Sequence, residues 1–271
     1  MKVLVVGGSG FLGAELLRRA RAAGWSTAAT YCSSRPGDLP GVSWHRVDVR
    51  DADQLDVLLA ELAPDAIINA TSGLSDWAVT ADGSFRVTTA AVRHGCRLVH
   101  VSSDAVFSGS RVSYDESCLP DPVTPYGAAK AAAETAVRLL APAAAVARTS
   151  LIIGNGDSAH ERMVHELNAG TRDGVLFTDV VRCPVHVGDL AAALLELARS
   201  DRPGMFHLAG PDALSRYELG VLIARRDGLD AGRLPAGPKE GTALEVRLDC
   251  ATTQADIRTR LRGAREFLQL T

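Results

Sequence analysis

The stretch "VVGGSGFLGAE", Val5 to Glu15, sets Gly7, Gly10 and Gly13 at three-residue intervals between an apolar run and a helical pattern beginning at Phe11. Glycine at such a junction lets the chain turn sharply out of a strand. It also leaves bare main chain that a pyrophosphate can approach, with the unpaired N–H groups and positive end of the next helix facing the anion. The spacing is GxxGxxG rather than GxGxxG, so its place between the first strand and the first helix carries the reading. Ser9, Phe11 and Leu12 then lie along the same ligand as the three glycines.

The first half of the chain repeats this strand and helix alternation. Leu12, Leu16, Leu17 and Ala20 recur at helical spacing between Phe11 and Ala23, and "STAAT" and "VSWHRV" read as strands. Asp51 to Leu62 reads as a helix, "DAIINA" as a strand, Thr80 to His94 as a helix and "RLVHVS" as a strand. Continuous apolar strands alternating with amphipathic helices predict an α/β fold, a Rossmann-type doubly wound parallel sheet covered on both faces, with ligands at the carboxyl ends of the strands. After Arg148 the rhythm changes: "NGDSAHERMVHELNAGTRDG" is polar and helical, "DLAAALLELARS" a short helix, "GMFHLAG" a strand and "SRYELGVLIARR" a serine-capped helix. "LDAGRLPAGPKEGTA" reads as a loop. The expected division is a dinucleotide-binding domain over residues 1–150 and a smaller mixed α/β substrate domain over 151–271, interleaved so that segments near 184–210 return to the first.

The end of the second strand discriminates between the two nicotinamide dinucleotides, because an acid there binds the ribose 2′-OH and repels a 2′-phosphate. "TYCSSRPGD" offers Tyr31, Ser33, Ser34 and Arg35, with no acid before Asp38. Hydroxyls and a guanidinium suit a phosphate, so NADP(H) is expected over NAD; the alternative for Arg35 is a solvated loop position. Asp48, beside Val49 after the third strand, could accept from the adenine amino group or cap the helix near Asp51.

A second constellation lies downstream. "SSDAVFSG" follows the fifth strand and "PYGAAKAAAE" opens a helix, in which Tyr126 and Lys130, four apart, share a face. An ammonium beside a phenol lowers the phenol's pKa from about 10, making Tyr126 a proton donor near neutral pH. The Ser103 hydroxyl, at the end of the adjacent strand, could align a substrate oxygen.

Composition excludes several classes. With 29 basic and 32 acidic residues, a net charge of −3 and no long single-sign block, the chain has no polyanion-binding character, and nucleic acid is not an expected partner. "MKVLVV" is too short for a secretory segment, and no apolar run approaches the roughly 18 residues of a membrane span; a cytoplasmic protein without membrane contact is expected. The five scattered cysteines form no CxxC pair and the histidines show no HxxxH spacing, so neither a disulfide framework nor a metal is expected.

GGSGFLG, INA at Ile68–Ala70, VSSDAVFSG followed by YDES, P-x-x-P-Y-G-x-x-K and RTSLIIG together resemble an extended short-chain dehydrogenase/reductase of the dTDP-4-dehydrorhamnose reductase-like branch. The likeness is clearest to about residue 150 and persists in "FTDVVRCPVHVGDLA" and "GPDALSRYELG". It implies a nicotinamide cofactor and reduction of a keto group on a nucleotide-linked sugar, with the catalytic Ser/Thr, Tyr and Lys on Ser103, Tyr126 and Lys130. Asn69, Ala70 and Thr71 would lie along the cofactor, Asp104 and Ala105 beside the substrate, and Arg182 and Arg247 near a substrate diphosphate; His186 would be structural. Ala105 stands where the family commonly has an aromatic residue, Thr80 where a helix asparagine is common, and "TSGLSDWAV" is shorter than the usual connection.

The leading expectation is an NADPH-dependent reductase of a keto-sugar nucleotide or similar polar carbonyl compound, compatible with a homodimer. Two alternatives are an NAD-dependent sugar-nucleotide epimerase or dehydratase, for which no acidic pair accompanies Asp104, and a non-catalytic NADP-binding regulatory subunit.

Overall fold

A computed structural model describes residues 1–33, 39–241 and 244–269. Five strands, β1 (Lys2–Val6), β2 (Ser26–Tyr31), β3 (Val42–Arg46), β4 (Ala66–Asn69) and β5 (Arg97–Ser103), join the strands Ala145–Thr149 and Gly204–Leu208 in one sheet. All seven are parallel, in the spatial order 204–208, 145–149, β5, β4, β1, β2, β3. The chain therefore winds outward in one direction from β1 through β3 and in the other from β4 onward. A crevice opens where the direction reverses, outside the carboxyl ends of β1 and β4.

Seven main helices cover and extend the sheet: α1 (Phe11–Ala22), α2 (Ala52–Leu62), α3 (Gly83–Arg93), α4 (Pro125–Leu140), α5 (Ala159–Ala169), α6 (Val187–Arg199) and α7 (Arg216–Arg226). The period of two in β1 sorts its side chains between layers. Val3 and Val5 pack with Leu16, Leu17 and Ala20 of α1 and the apolar side of α6, whereas Leu4 and Val6 pack with α2, α3 and Val137 of α4. Each such buried aliphatic side chain contributes about 1.5–3 kcal/mol.

Local signals set the helix starts. Asp51 caps α2 by accepting from the N–H groups of Asp53 and Gln54, so Asp48 is not the cap. Thr124 caps α4 ahead of Pro125, and Ser158 and Ser215 close capping boxes with Glu161 and Glu218 on α5 and α7. The helix expected from Thr80 opens with a π-helical turn, Ala78–Asp82. Thr80 Oγ1 donates to the Leu74 carbonyl at 2.9 Å and accepts from Gly73 N–H at 3.0 Å, so the short connection after β4 folds back onto this turn.

The second half is divided in space. α6 and strand 204–208 lie with the sheet, while α5 and α7 pack on a separate core that includes Leu151, Ile153, Val164, Leu214 and Ile223. The stretch read as a loop contains a short strand, Ala236–Gly237, paired in parallel with Leu176–Phe177. Two residues are too few to leave a periodic signal. Among the described residues no helix is long and apolar enough to cross a membrane, and no group of three His, Cys, Asp or Glu side chains could hold a metal ion.

Candidate active site

A cleft of about 400 Å3 occupies the crevice. Gly7, Ser9, Gly10, Phe11, Leu12, Gly13, Tyr31, Asp48, Val49, Ala70 and Thr71 line it, as do Ser72 and Arg50, which the sequence did not suggest. Gly7 has a φ of 84°, and a Cβ on Gly13 would lie 2.4 Å from the Gly7 carbonyl oxygen. No side chain caps α1 at Gly10 and its first turn carries no acid, so the N–H groups at this end face the cleft without a competing carboxylate. Thr71 Oγ1 is buried without a hydrogen-bond partner among the described residues. A narrow main-chain cradle, a bare helix N-terminus and an unsatisfied hydroxyl fit a dinucleotide pyrophosphate.

At the far end, Asp48 is clamped by Arg50, whose Nε and Nη2 reach its carboxylate at 2.9 and 2.5 Å. That guanidinium holds the Asp48 carboxyl down at about 2. Ser33 is exposed beyond β2 and outside the cleft lining; Ser34 and Arg35 lie outside the described residues. Asn69 is buried behind the wall, its Oδ1 accepting from Thr71 N–H at 3.2 Å and its Nδ2 3.3 Å from His100 Nδ1.

Tyr126 and Lys130 stand beside the cleft on α4. The Tyr126 hydroxyl stands beside the hydroxyls of Ser103 and Ser72, both of which favour its ionised form. Lys130 is buried, its Nζ donating to the carbonyls of Val101 at 3.0 Å and Thr71 at 3.4 Å. Burial lowers its pKa to about 8. The expected lowering of the phenol's pKa is reversed here. Burial raises Tyr126, the neighbouring Ser103 and Ser72 hydroxyls oppose that, and the charge of Asp104 adds to it, while the Lys130 ammonium is turned onto main-chain carbonyls. The phenol accordingly keeps its proton at neutral pH.

A second cavity, of about 460 Å3, lies in the other lobe between α5 and α7 and is lined by His160, Phe177, Arg172, Arg182, Arg216 and Lys239. Arg182 stands 3.5 Å from Asp104, which places this cavity beside the Ser103 end of β5. Arg216 is the first residue of α7, and its Nη1 lies 3.1 Å from His160 Nδ1. Burial first and the charge of Arg182 second bring its pKa down to about 10. A cation in the first turn opposes the helix dipole, a signal that could have drawn attention to Arg216 in the sequence. Arg247 is not in this lining: its half-exposed guanidinium is paired with Glu245 at 2.7 Å. Ala105 presents only a methyl group, and its carbonyl faces the backbone of Gly127.

Comparison with known proteins gives consistent matches. The family model described as the RmlD substrate binding domain matches residues 1–249. The "Probable low-salt glycan biosynthesis reductase Agl14" of Haloferax volcanii is 31% identical over 85% of this chain and 82% of its own length. Methionine adenosyltransferase 2 subunit beta of Mus musculus is 26% identical over 87% of this chain and 73% of its own. A dTDP-4-dehydrorhamnose reductase from Bacillus anthracis, crystallised with NADP, superposes with a TM-score of 0.83 at 20% identity, covering 98% of this chain and 96% of the other.

Proposed function

This chain belongs to the RmlD substrate binding domain family, and from that premise we propose that it is an NADPH-dependent reductase of a keto group on a nucleotide-linked sugar or a similar polar carbonyl compound. One observation carries the reading: a protonated phenol, Tyr126, facing the Ser103 hydroxyl beside a cleft whose wall is glycine main chain and a bare helix end. The cleft residues Gly7, Gly10, Gly13, Ala70 and Thr71 would hold the dinucleotide, with Lys130 toward its ribose. When bound, NADPH supplies the hydride. NADP is favoured over NAD because, among the described residues, the one carboxylate in the cleft lining, Asp48, is neutralised by Arg50, and the similar Bacillus anthracis reductase was crystallised with NADP.

In the proposed reaction Ser103 and Tyr126 hold the carbonyl oxygen, and Tyr126 delivers its proton to that oxygen as the carbonyl carbon is reduced. The raised pKa of Tyr126 keeps the donor loaded. Arg182 and Arg216 would take the phosphates of the nucleotide, since a fork-shaped guanidinium matches paired anionic oxygens. The lobe built on α5 and α7 would thus be the substrate-binding part.

A second reading, a non-catalytic NADP-binding subunit, is favoured by the similarity to methionine adenosyltransferase 2 subunit beta. The two separate in one experiment: NADPH oxidation with a panel of keto-sugar nucleotides, run beside a search for a co-purifying large partner. Turnover that falls about 100-fold or more in Tyr126→Phe, with NADPH affinity retained, is expected for the reductase. Full kcat in Tyr126→Phe would overturn the assignment of the acid.

A further inference from the structure

Asp104 is a buried carboxylate at the reacting centre that the proposed reaction leaves without a task. Its Oδ1 accepts from the Ser103 hydroxyl at 3.2 Å; its Oδ2 accepts from the Ser150 hydroxyl at 2.6 Å and lies 3.5 Å from Arg182 Nε. Ser150 accepts in turn from the Cys183 N–H at 3.2 Å, and Arg182 Nη1 donates to the carbonyls of Val181 and Leu244. The ends of β5 and of strand 145–149 thus meet the second lobe at one carboxylate. Arg182 touches that carboxylate and also lines the cationic cavity.

We propose that Asp104 is a positioning residue that aims the Ser103 hydroxyl, and that Arg182, shared between Asp104 and the anionic part of the substrate, couples filling of the cavity to alignment of the reacting carbonyl. The inference rests on the reductase reading only for the identity of the group that Ser103 and Tyr126 meet. Ser103 has one proton to give. Its oxygen already accepts from Ala105 N–H at 3.2 Å, and that proton points at Asp104. To polarise a carbonyl it must turn away, which is easier the more of the Asp104 charge is neutralised by Ser150 and Arg182. The charged and titratable groups facing this pair are Tyr126 from α4, Arg182, Arg216 at the start of α7 and the Cys183 thiol, itself pushed up to about 11 by burial. The Asp104 charge raises the Tyr126 pKa, and Arg182 offsets that charge.

The test is an ultraviolet difference titration of Tyr126 in NADP-loaded protein, assigned by subtracting the Tyr126→Phe protein. Asp104→Asn should lower the midpoint; Arg182→Gln and Ser150→Ala, which leave the carboxylate less neutralised, should raise it; Arg182→Lys should bring it back toward wild type. Inorganic pyrophosphate, as the cavity probe, should raise the midpoint in wild type and move it less in Arg182→Gln. In turnover, Asp104→Asn should lower kcat about 10- to 100-fold at nearly constant KM, whereas Arg182→Gln should also raise KM. The titration needs no turnover. Absence of reduction with every keto-sugar nucleotide would therefore fail the reductase reading alone, whereas a Tyr126 midpoint unmoved across variants with native circular dichroism would overturn this inference.

Discussion

Glu134 and Arg148 form an ion pair at 2.8 Å with both side chains only 1% exposed, one helical turn along α4 from Lys130. The carboxylate also accepts from Ser102 Oγ at 2.6 Å, and the guanidinium lies 4.8 Å over the Phe107 ring. The pair fastens α4 to the sheet and so fixes the rotation at which Tyr126 and Lys130 project toward the cleft. Glu134→Ala would strand a buried guanidinium, and such a loss costs about 3–5 kcal/mol. Urea unfolding followed by circular dichroism should show that loss. An unchanged midpoint would mean that the pair does not hold the helix.

The tight turn at Gly13 gives a prediction about affinity. A Cβ there would lie 2.4 Å from the Gly7 oxygen and 2.7 Å from the Gly8 Cα, both main-chain atoms that must move to make room. Those atoms build the cradle. Gly13→Ala should therefore weaken NADPH binding by at least roughly tenfold, about 1.4 kcal/mol, in a fluorescence titration. Equal affinity would show that the triplet serves helix packing alone.

The sheet was legible because its strands are continuous apolar runs with helices between them at a fixed rhythm, and the glycines mark where that rhythm turns. Helical spacing also put Tyr126 and Lys130 on one face. It could not say that Lys130 would turn its ammonium onto the Val101 and Thr71 carbonyls, because that contact depends on how deeply α4 is buried. The second lobe was harder to read. Its strands, such as Val181–Arg182 and Leu214–Ser215, are two residues long and leave no period, so spacing alone does not show that Arg216 lines the cavity and that Arg247 stands outside it.

The difference between those two arginines can be measured. Among the described residues no carboxylate lies at ion-pair distance from Arg216, whereas Arg247 is neutralised by Glu245 at the surface. Arg216→Met should raise KM for a nucleotide-linked substrate about tenfold or more with the fold retained, since a charged hydrogen bond is worth about 1.5–3 kcal/mol. Arg247→Met should leave KM within about twofold, because exposed ion pairs contribute about 0–1 kcal/mol. Equal effects would place the anion elsewhere.

His100, fully buried in β5, contributes to the loss of stability on the acid side. Burial, with the Lys130 charge second, lowers its pKa to about 3; Nδ1 faces Asn69 Nδ2 at 3.3 Å, and Nε2 is without a partner among the described residues. The imidazole is therefore neutral in the folded protein. In the unfolded chain it titrates near 6.5. Above that pH neither state is protonated and His100 contributes no slope. As the pH falls from 6.5 toward 3 the unfolded state takes up a proton that the folded state refuses, so stability declines through that window by about 1.4 kcal/mol per pH unit. His160, held at about 4 chiefly by burial, acts in the same sense and is left intact by a change at His100. Urea unfolding of His100→Gln and wild type between pH 7 and about 4 should therefore give curves that converge on acidification, the wild type losing more. Parallel curves would show that His100 does not resist protonation in the fold.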